Sequence, residues 1–374
     1  MKRRRVMALA LVGLLSAGNA HAQGKTRNVV LIVTDGLRWQ EVFRGAERAL
    51  VSRNAGGVRD TTFTLRTFWR ADVDARRRAL LPFFWERIAT QGTLFGNQDQ
   101  GSVAAITNTR RFSYPGYNEI FTGAFDPRID SNDYPPNPNV TVFEWLARKP
   151  AYKGKVAAIA TWDAFRRIFN RERAGFDVID SWDEPFRGAM ASTPRAAMIN
   201  EWYRTSVRMW ENNTFDAPMH AATKEYIRQK KPRVLFVGYG ETDEWAHAGM
   251  YDMVLQSAHR VDGFIRDLWD TMQAMPEYRG STTFVITTDH GRGSGATTWR
   301  DHGEDVDGAE NIWIAVLGPD TPAGGEMRTT GRVTQSQVAA TLAALLGEDY
   351  LTATPGAGAP LTSVLPPASR AARR

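Results

Sequence analysis

The strongest constraint on the fold is a pair of apolar runs that each stop abruptly at an acid. Thr282–Thr287 (TTFVIT) consists only of β-branched and aromatic residues and is followed by Thr288-Asp289-His290-Gly291. Asn28–Thr34 (NVVLIVT) is almost as apolar and is followed by Asp35-Gly36-Leu37-Arg38. A strand with no polar alternation must be covered on both faces, which places it inside a sheet layered between helices. The carboxyl ends of strands in such a sheet are where ligands bind, so acids delivered there are candidate functional groups. The structural alternative is that Asp35 and Asp289 cap the segments that follow them.

The rest of the chain repeats this alternation. Further strand patterns lie at 156–160, 234–237 and 311–317, with shorter ones at 94–95 and 176–182. Helical patterns lie at 80–89, 142–148, 164–170, 196–211, 219–229, 254–272 and 335–346. Strands alternating with helices predict stacked βαβ units and the α/β class. The polar, arginine-rich stretch 46–74 reads as an exposed insertion or lid, residues 102–111 as a surface loop, and 352–374 as a flexible tail.

The N-terminus predicts export. Lys2, Arg3, Arg4 and Arg5 precede an apolar segment at 6–15, and Ala20-His21-Ala22 forms a small-residue cleavage pattern, so residues 1–22 read as a signal peptide. Residues 23–351 then read as the folded domain. No second apolar run long enough to span a bilayer follows, which predicts no membrane span after cleavage, in a periplasmic or secreted protein. Losing the four basic residues of the leader lowers the formal charge from +6 to about +2, which implies no nucleic-acid polymer as partner. The chain contains no cysteine, so a metal site must use carboxylate, imidazole and hydroxyl ligands.

Such groups gather at strand ends and loops. Asp243 and His247, four residues apart, follow the strand at 234–237 and would share one helical face. Asp289 and His290 end the strand described first, and His302 lies in the next loop. Ser113 precedes Pro115, a residue favoured in the first turn of a helix, so Ser113 stands at a helix start where an anion is favoured. Residues 126–139, which include Asn132, form a Pro/Asn/Asp-rich loop. Three acids, three imidazoles and one serine can hold two divalent ions through N and O donors. Zinc suits the set and manganese is compatible with it. Two such ions can clamp the attacking and leaving oxygens of an in-line displacement. His259 lacks an acid at a strand end and reads as a packing or surface residue.

With VTDGLR at 33–38, FSYPGYNEIFTG at 112–123, GETDEWAHAG at 240–249, TTDHGRG at 287–293 and DHG at 301–303, the chain resembles the alkaline phosphatase superfamily. Within it the likeness is to type I phosphodiesterases, nucleotide pyrophosphatases and sulfatase-like proteins. The resemblance implies a three-layer sandwich with a mostly parallel central sheet and helices on both faces. It implies one metal held by Asp35, Ser113, Asp289 and His290 and a second by Asp243, His247 and His302. It implies a small-molecule phosphate ester, phosphodiester or phosphomonoester, as substrate and Ser113 as the nucleophile of a covalent phosphoserine intermediate. Backbone amides after Ser113, together with Asn132, would bind the remaining charged oxygen.

Two departures bear on substrate. Nucleotide pyrophosphatases usually carry a threonine nucleophile followed by Pro-Asn-His, whereas Ser113 precedes Tyr114-Pro115-Gly116-Tyr117. Sulfatases require Cys or Ser in a C/S-x-P-x-R context, and the arginine is missing here. Sulfate or phosphonate esters at the same site, and a metal-stabilised binding protein without activity, are the competing functions. The arginine-rich stretches 65–78 and 164–173 read as solvated faces, the alternative being sites for an anionic substrate. Trp39, Tyr114, Tyr117, Trp162 and Trp245 lie near the motifs, either as core or as the lining of a pocket.

Overall fold

The computed structural model describes residues 24–329 and 331–366; the expected leader, 1–22, lies outside the described residues. Eleven strands occur in chain order: β1 Asn28–Thr34, β2 Thr93–Phe95, β3 Ala104–Ala105, β4 Val156–Ala160, β5 Asp177–Asp180, β6 Val234–Tyr239, β7 Thr282–Thr287, β8 Asn311–Ile312, β9 Ile314–Leu317, β10 Gly325–Glu326 and β11 Val333–Thr334. Eight of them form one sheet in the order β10-β2-β9-β7-β1-β6-β4-β5. All neighbours in it run parallel except the pairs that β9 makes with β7 and β2.

The two acid-terminated runs are adjacent central strands, as their composition requires. Every residue of β1, β6 and β7 is buried. Successive side chains point to opposite faces, so Val30 and Ile32 enter one core while Val29, Leu31 and Val33 enter the other. Helices Pro194–Thr205, Asp216–Lys230 and Tyr251–Ala274 cover the first face, contributing Ile199, Ile227 and Leu255. Helices Ser113–Thr122, Val142–Ala147 and Gln337–Leu345 cover the second, contributing Phe121, Phe143 and Leu342. The result is the expected three-layer α/β sandwich.

Three expectations are corrected. Residues 102–111 are not a surface loop: Ala104, Ala105, Ile106 and Asn108 are buried, because β3 pairs with β8 and β11 in a second, three-stranded sheet. The single strand expected at 311–317 divides at Trp313, whose buried indole donates to the Leu37 carbonyl at 2.9 Å, so that β8 joins the small sheet and β9 the large one. In the tail expected to be flexible, residues 357–365 pack against the second core. Leu361, Val364 and Leu365 are buried there, and the Leu361 amide donates to Thr341 Oγ1 at 2.9 Å. Residues 46–74 are polar in composition, yet Leu50, Val51, Val58 and Phe68 anchor them to the first core. Trp299 adds a hydrogen bond from its indole to the Ala55 carbonyl at 2.9 Å. No helix among the described residues is long and apolar enough to cross a membrane.

Phe236 on β6 sits in a ring cluster with Phe121, Phe165 and Phe169 at centroid distances of 4.9, 5.1 and 5.4 Å. Phe236→Ala is therefore expected to cost about 3–5 kcal/mol in urea unfolding through the cavity it leaves. A cost under about 1 kcal/mol would show that this cluster does not hold the Ser113 helix to the sheet.

Candidate metal centre

Strand register decides what meets at the sheet edge. Thr34 pairs with Tyr239, and Val33 with Thr287, so β1, β6 and β7 end at nearly the same level. The residues that follow, Asp35, Gly240 and Thr288, open the loops carrying the acids. Thr242 Oγ1 donates to the Asp35 carbonyl at 2.5 Å and the Gly36 amide donates to Asp289 Oδ1 at 3.0 Å, tying the three loops together. Gly36 has φ +58, and a Cβ there would lie 2.7 Å from Asp243 Oδ1 and 2.8 Å from Arg292 Nε. Only glycine leaves the acids room to converge.

Asp35, Asp289 and His290 form one group whose ligand atoms lie within 4.8 Å of one another, and Asp243, His290 and His302 form a second. His290 Nδ1 donates to the Gly291 carbonyl at 2.9 Å, which leaves Nε2 unprotonated and facing the acids. That nitrogen lies 3.6 Å from Asp35 Oδ1, 3.4 Å from Asp289 Oδ2 and 3.7 Å from Asp243 Oδ1. His302 Nδ1 points to the Arg111 carbonyl at 3.2 Å, so its Nε2 likewise faces inward, 3.0 Å from His247 Nε2. His247 Nε2 is also 3.2 Å from Asp243 Oδ2. The geometry thus brings together all seven residues singled out as ligands, with His290 between the two groups.

The donor set fits divalent cations. Tyr117 Oη donates to Asp35 Oδ2 at 2.8 Å, but Asp35 Oδ1 and Asp289 Oδ2 are buried with no hydrogen-bond partner. Buried carboxylate oxygens without a partner are costly unless a cation meets them. Burial raises Asp35 from its ordinary value to about 8, with Asp289 adding to the effect, and raises Asp289 to about 6. Burial also holds His290 and His302 below the usual imidazole range, keeping both as neutral donors.

Ser113 is the first residue of its ten-residue helix, and its Oγ lies 3.3 Å from His290 Nε2. A Cβ at Gly116, one turn on, would overlap the Asp289 carbonyl, so this glycine lets the helix lie directly on the acid's loop. Asn132 stands beside Ser113, with its Oδ1 accepting the Tyr114 amide at 2.9 Å. That amide is thereby engaged, Pro115 has none, and the Gly116 amide donates to the Phe112 carbonyl. The backbone amides expected to bind a substrate oxygen are thus occupied.

Ser113, Asn132, Trp162, Asn213 and Glu244 line a cavity of about 180 Å³ together with Asp35, Asp243, His247 and His302. A larger groove of about 780 Å³ runs past Arg77, Trp85 and Glu326, but it contains none of these ligands. Of the arginines at 164–173, Arg166 and Arg171 pair with Asp180 and Arg173 with Glu144, while Arg167 donates to the carbonyl of Asn132, a lining residue, at 3.1 Å without itself lining the cavity. Trp39, Tyr114, Tyr117 and Trp245 are buried; of the five motif aromatics, only Trp162 lines the cavity. His259 packs as expected, with Nδ1 on the Leu80 carbonyl at 2.8 Å.

Two supporting residues escaped the sequence reading. Arg292 is buried, pairs with Asp243 and donates to the Gly36 carbonyl at 3.1 Å; its place two residues after His290 was an available signal. Burial lowers its guanidinium to about 9. Asp216 accepts the Gly240 amide at 2.9 Å while its own amide donates to Glu241 Oε1, fixing the start of the Asp243 helix. Nothing local in the sequence marks Asp216.

Residues 64–335 match the family described as type I phosphodiesterase / nucleotide pyrophosphatase. Among solved structures the chain is similar to a phosphonate monoester hydrolase from Silicibacter pomeroyi, at 14% identity and TM-score 0.57, covering 90% of this chain and 76% of that one. It is also similar to the alkaline phosphatase PafA, at 12% identity and TM-score 0.57 over 93% and 100% of the two chains. A third likeness is the lipoteichoic acid synthase LtaP from Listeria monocytogenes, at 11% identity and TM-score 0.53 over 88% and 74%. At these identities the structures establish a common alkaline-phosphatase-like fold. No curated protein matches the chain in sequence.

Metal and pH should act together on stability. With chelator, the folded chain keeps protons on Asp35 and Asp289 that the unfolded chain releases near pH 4. The stability from these raised values is therefore full below about pH 4 and lost as pH rises toward about 8. Zinc needs the deprotonated ligands, so its stabilisation should grow over the same interval, to about 2.7 kcal/mol at a hundredfold excess over Kd. Urea unfolding at pH 5 and pH 8 tests this; identical midpoints with chelator and with zinc at both pH values would contradict the metal assignment.

Proposed function

Because the chain belongs to the type I phosphodiesterase / nucleotide pyrophosphatase family, and is thus a metal-dependent hydrolase of phosphoric esters, we propose that it cleaves phosphodiesters through a phosphoserine formed on Ser113. The observation that supports this most is the convergence of Asp35, Asp243, Asp289, His290 and His302 on one point beside the Ser113 hydroxyl, with two carboxylate oxygens left unpartnered.

Asp35, Ser113, Asp289 and His290 would hold one divalent ion, zinc or manganese, and Asp243, His247 and His302 another. The pair would supply positive charge against the attacking and leaving oxygens. Ser113 Oγ forms the bond to phosphorus as the bond to the leaving alcohol breaks, and that alcohol departs with a proton. Water then cleaves the phosphoserine, returning the Ser113 hydroxyl and releasing a phosphomonoester. The helix beginning at Ser113 favours the growing negative charge at its N-terminus. Asn132, held by the Tyr114 amide, would direct its Nδ2 donors at a non-bridging oxygen. His290, fixed by the Gly291 carbonyl, keeps Nε2 directed at the Ser113 oxygen.

Diesters suit the cavity better than monoesters. No lysine or arginine is among its described lining residues, and Glu244 adds a carboxylate. A monoester dianion would bring a second negative charge against that wall, whereas a diester carries one. A phosphonate monoester also carries one, which keeps it as a second substrate class at the same site. Sulfatase chemistry is disfavoured by the missing arginine of the C/S-x-P-x-R context.

Ser113→Ala should lower kcat/KM by at least about 10³-fold on the best ester while metal content falls little. Retention of wild-type kcat would disprove the nucleophile assignment. On a panel of p-nitrophenyl esters, the methyl phosphodiester and the phenylphosphonate should exceed the phosphomonoester by about tenfold or more in kcat/KM. A monoester preference would reverse the choice of substrate class.

A further inference from the structure

The cavity beside the candidate metal ligands has a second wall that the hydrolysis step does not use. Glu244 lies on the Asp243 helix, yet it belongs to neither of the ligand groups close enough to share an ion. Its carboxylate accepts Asn213 Nδ2 at 2.8 Å and lines the cavity together with Trp162 and Asn213. Asn213 is 6% exposed, and its Oδ1 is buried with no hydrogen-bond partner. Gly240 keeps this asparagine against the Asp243 loop, since a Cβ there would lie 3.0 Å from that Oδ1 and 2.5 Å from Thr161 Oγ1.

A carboxylate here is a poor neighbour for an anionic substrate. Asp35, Asp243, Asp289 and the Ser113 oxygen would supply charge enough for two divalent cations, and Arg292 is already paired with Asp243. Glu244 adds a further carboxylate facing a phosphoryl group that is itself negative, with no arginine or lysine among the cavity's described lining residues. A cation on the substrate removes the conflict. An aromatic face, an acidic oxygen and an unpartnered amide oxygen form a complementary site for an alkylammonium group, which offers charge to Glu244 and the Trp162 ring and N–H donors to Asn213.

We propose that Trp162, Asn213 and Glu244 form a subsite for a cationic amino-alcohol group of the substrate, so that the enzyme selects zwitterionic phosphodiesters over anionic ones. This rests on the phosphodiesterase reading of the adjoining site.

The test uses isosteric pairs that differ only in charge. The zinc-loaded protein is assayed on p-nitrophenyl phosphodiesters whose second group is 2-aminoethyl or propyl, and 2-(trimethylammonio)ethyl or 3,3-dimethylbutyl. The expected result is a kcat/KM about tenfold higher for each cationic ester than for its neutral isostere, with the larger ratio for the aminoethyl pair. Glu244→Gln should bring both ratios near one, and Trp162→Leu should reduce them. Equal rates within each pair for the wild type, or ratios that survive Glu244→Gln, would overturn the proposal. Calorimetric binding of 2-aminoethyl phosphate against propyl phosphate to the zinc-loaded Ser113→Ala protein gives an answer independent of turnover. Tighter binding of the ammonium ligand supports the subsite and equal binding refutes it. Absence of turnover on all four diesters would sink the phosphodiesterase reading, and the calorimetric pair would still decide the subsite.

Discussion

The structure depends on crowding like charges at one edge of a sheet. Asp35, Asp243 and Asp289 come together because β1 lies between β6 and β7 in a parallel register that ends all three strands at one level. Two of the three carboxylates are buried, and each of those keeps an oxygen without a hydrogen-bond partner. Such an arrangement is stable when something positive occupies its centre. The imidazoles comply with this, since His290 and His302 direct their protons outward to the carbonyls of Gly291 and Arg111.

Around that centre the chain builds a frame of buried polar contacts. Arg292 spans the Asp243 carboxylate and the Gly36 carbonyl, and Asp216 anchors the Gly240 loop. Arg38 pairs with Glu41, which also accepts the Tyr251 hydroxyl, and reaches the Gly293 carbonyl at 3.2 Å. Glu119, on the Ser113 helix, accepts the amides of Thr107 and Asn108 and so holds the loop that leads to Arg111. These contacts tie the loops to one another and to their own helices, which lets the strand ends stay rigid although irregular backbone carries the ligands.

Much of the fold was legible because its central strands have no polar face. β1 and β7 match the apolar runs residue for residue, and the acids after them stand where strand ends place ligands. The short strands were harder to read. Ala104–Ala105 carries no hydrophobic pattern of its own and becomes a strand because β8 and β11 pair with it on either side. The run at 311–317 looks continuous, but the buried Trp313 side chain turns it between two sheets. Residues 357–365 are poor in pattern, and only their partner surface on the helix Gln337–Leu345 gives Leu361 and Val364 a place to bury.

The sequence by itself determined the layered α/β class and the identity of the candidate ligands, because apolar strand runs and strand-end acids are local features. It also marked Ser113 as a helix start. Tertiary structure alone decided that the Tyr114 amide is taken by Asn132, that Arg292 and Asp216 brace the ligand loops, and that the cavity beside the ligands is walled by Glu244 and Trp162 with no lysine or arginine among its described lining residues. These are relations between segments tens to hundreds of residues apart. They are set by strand order and register, which no local pattern of side chains encodes.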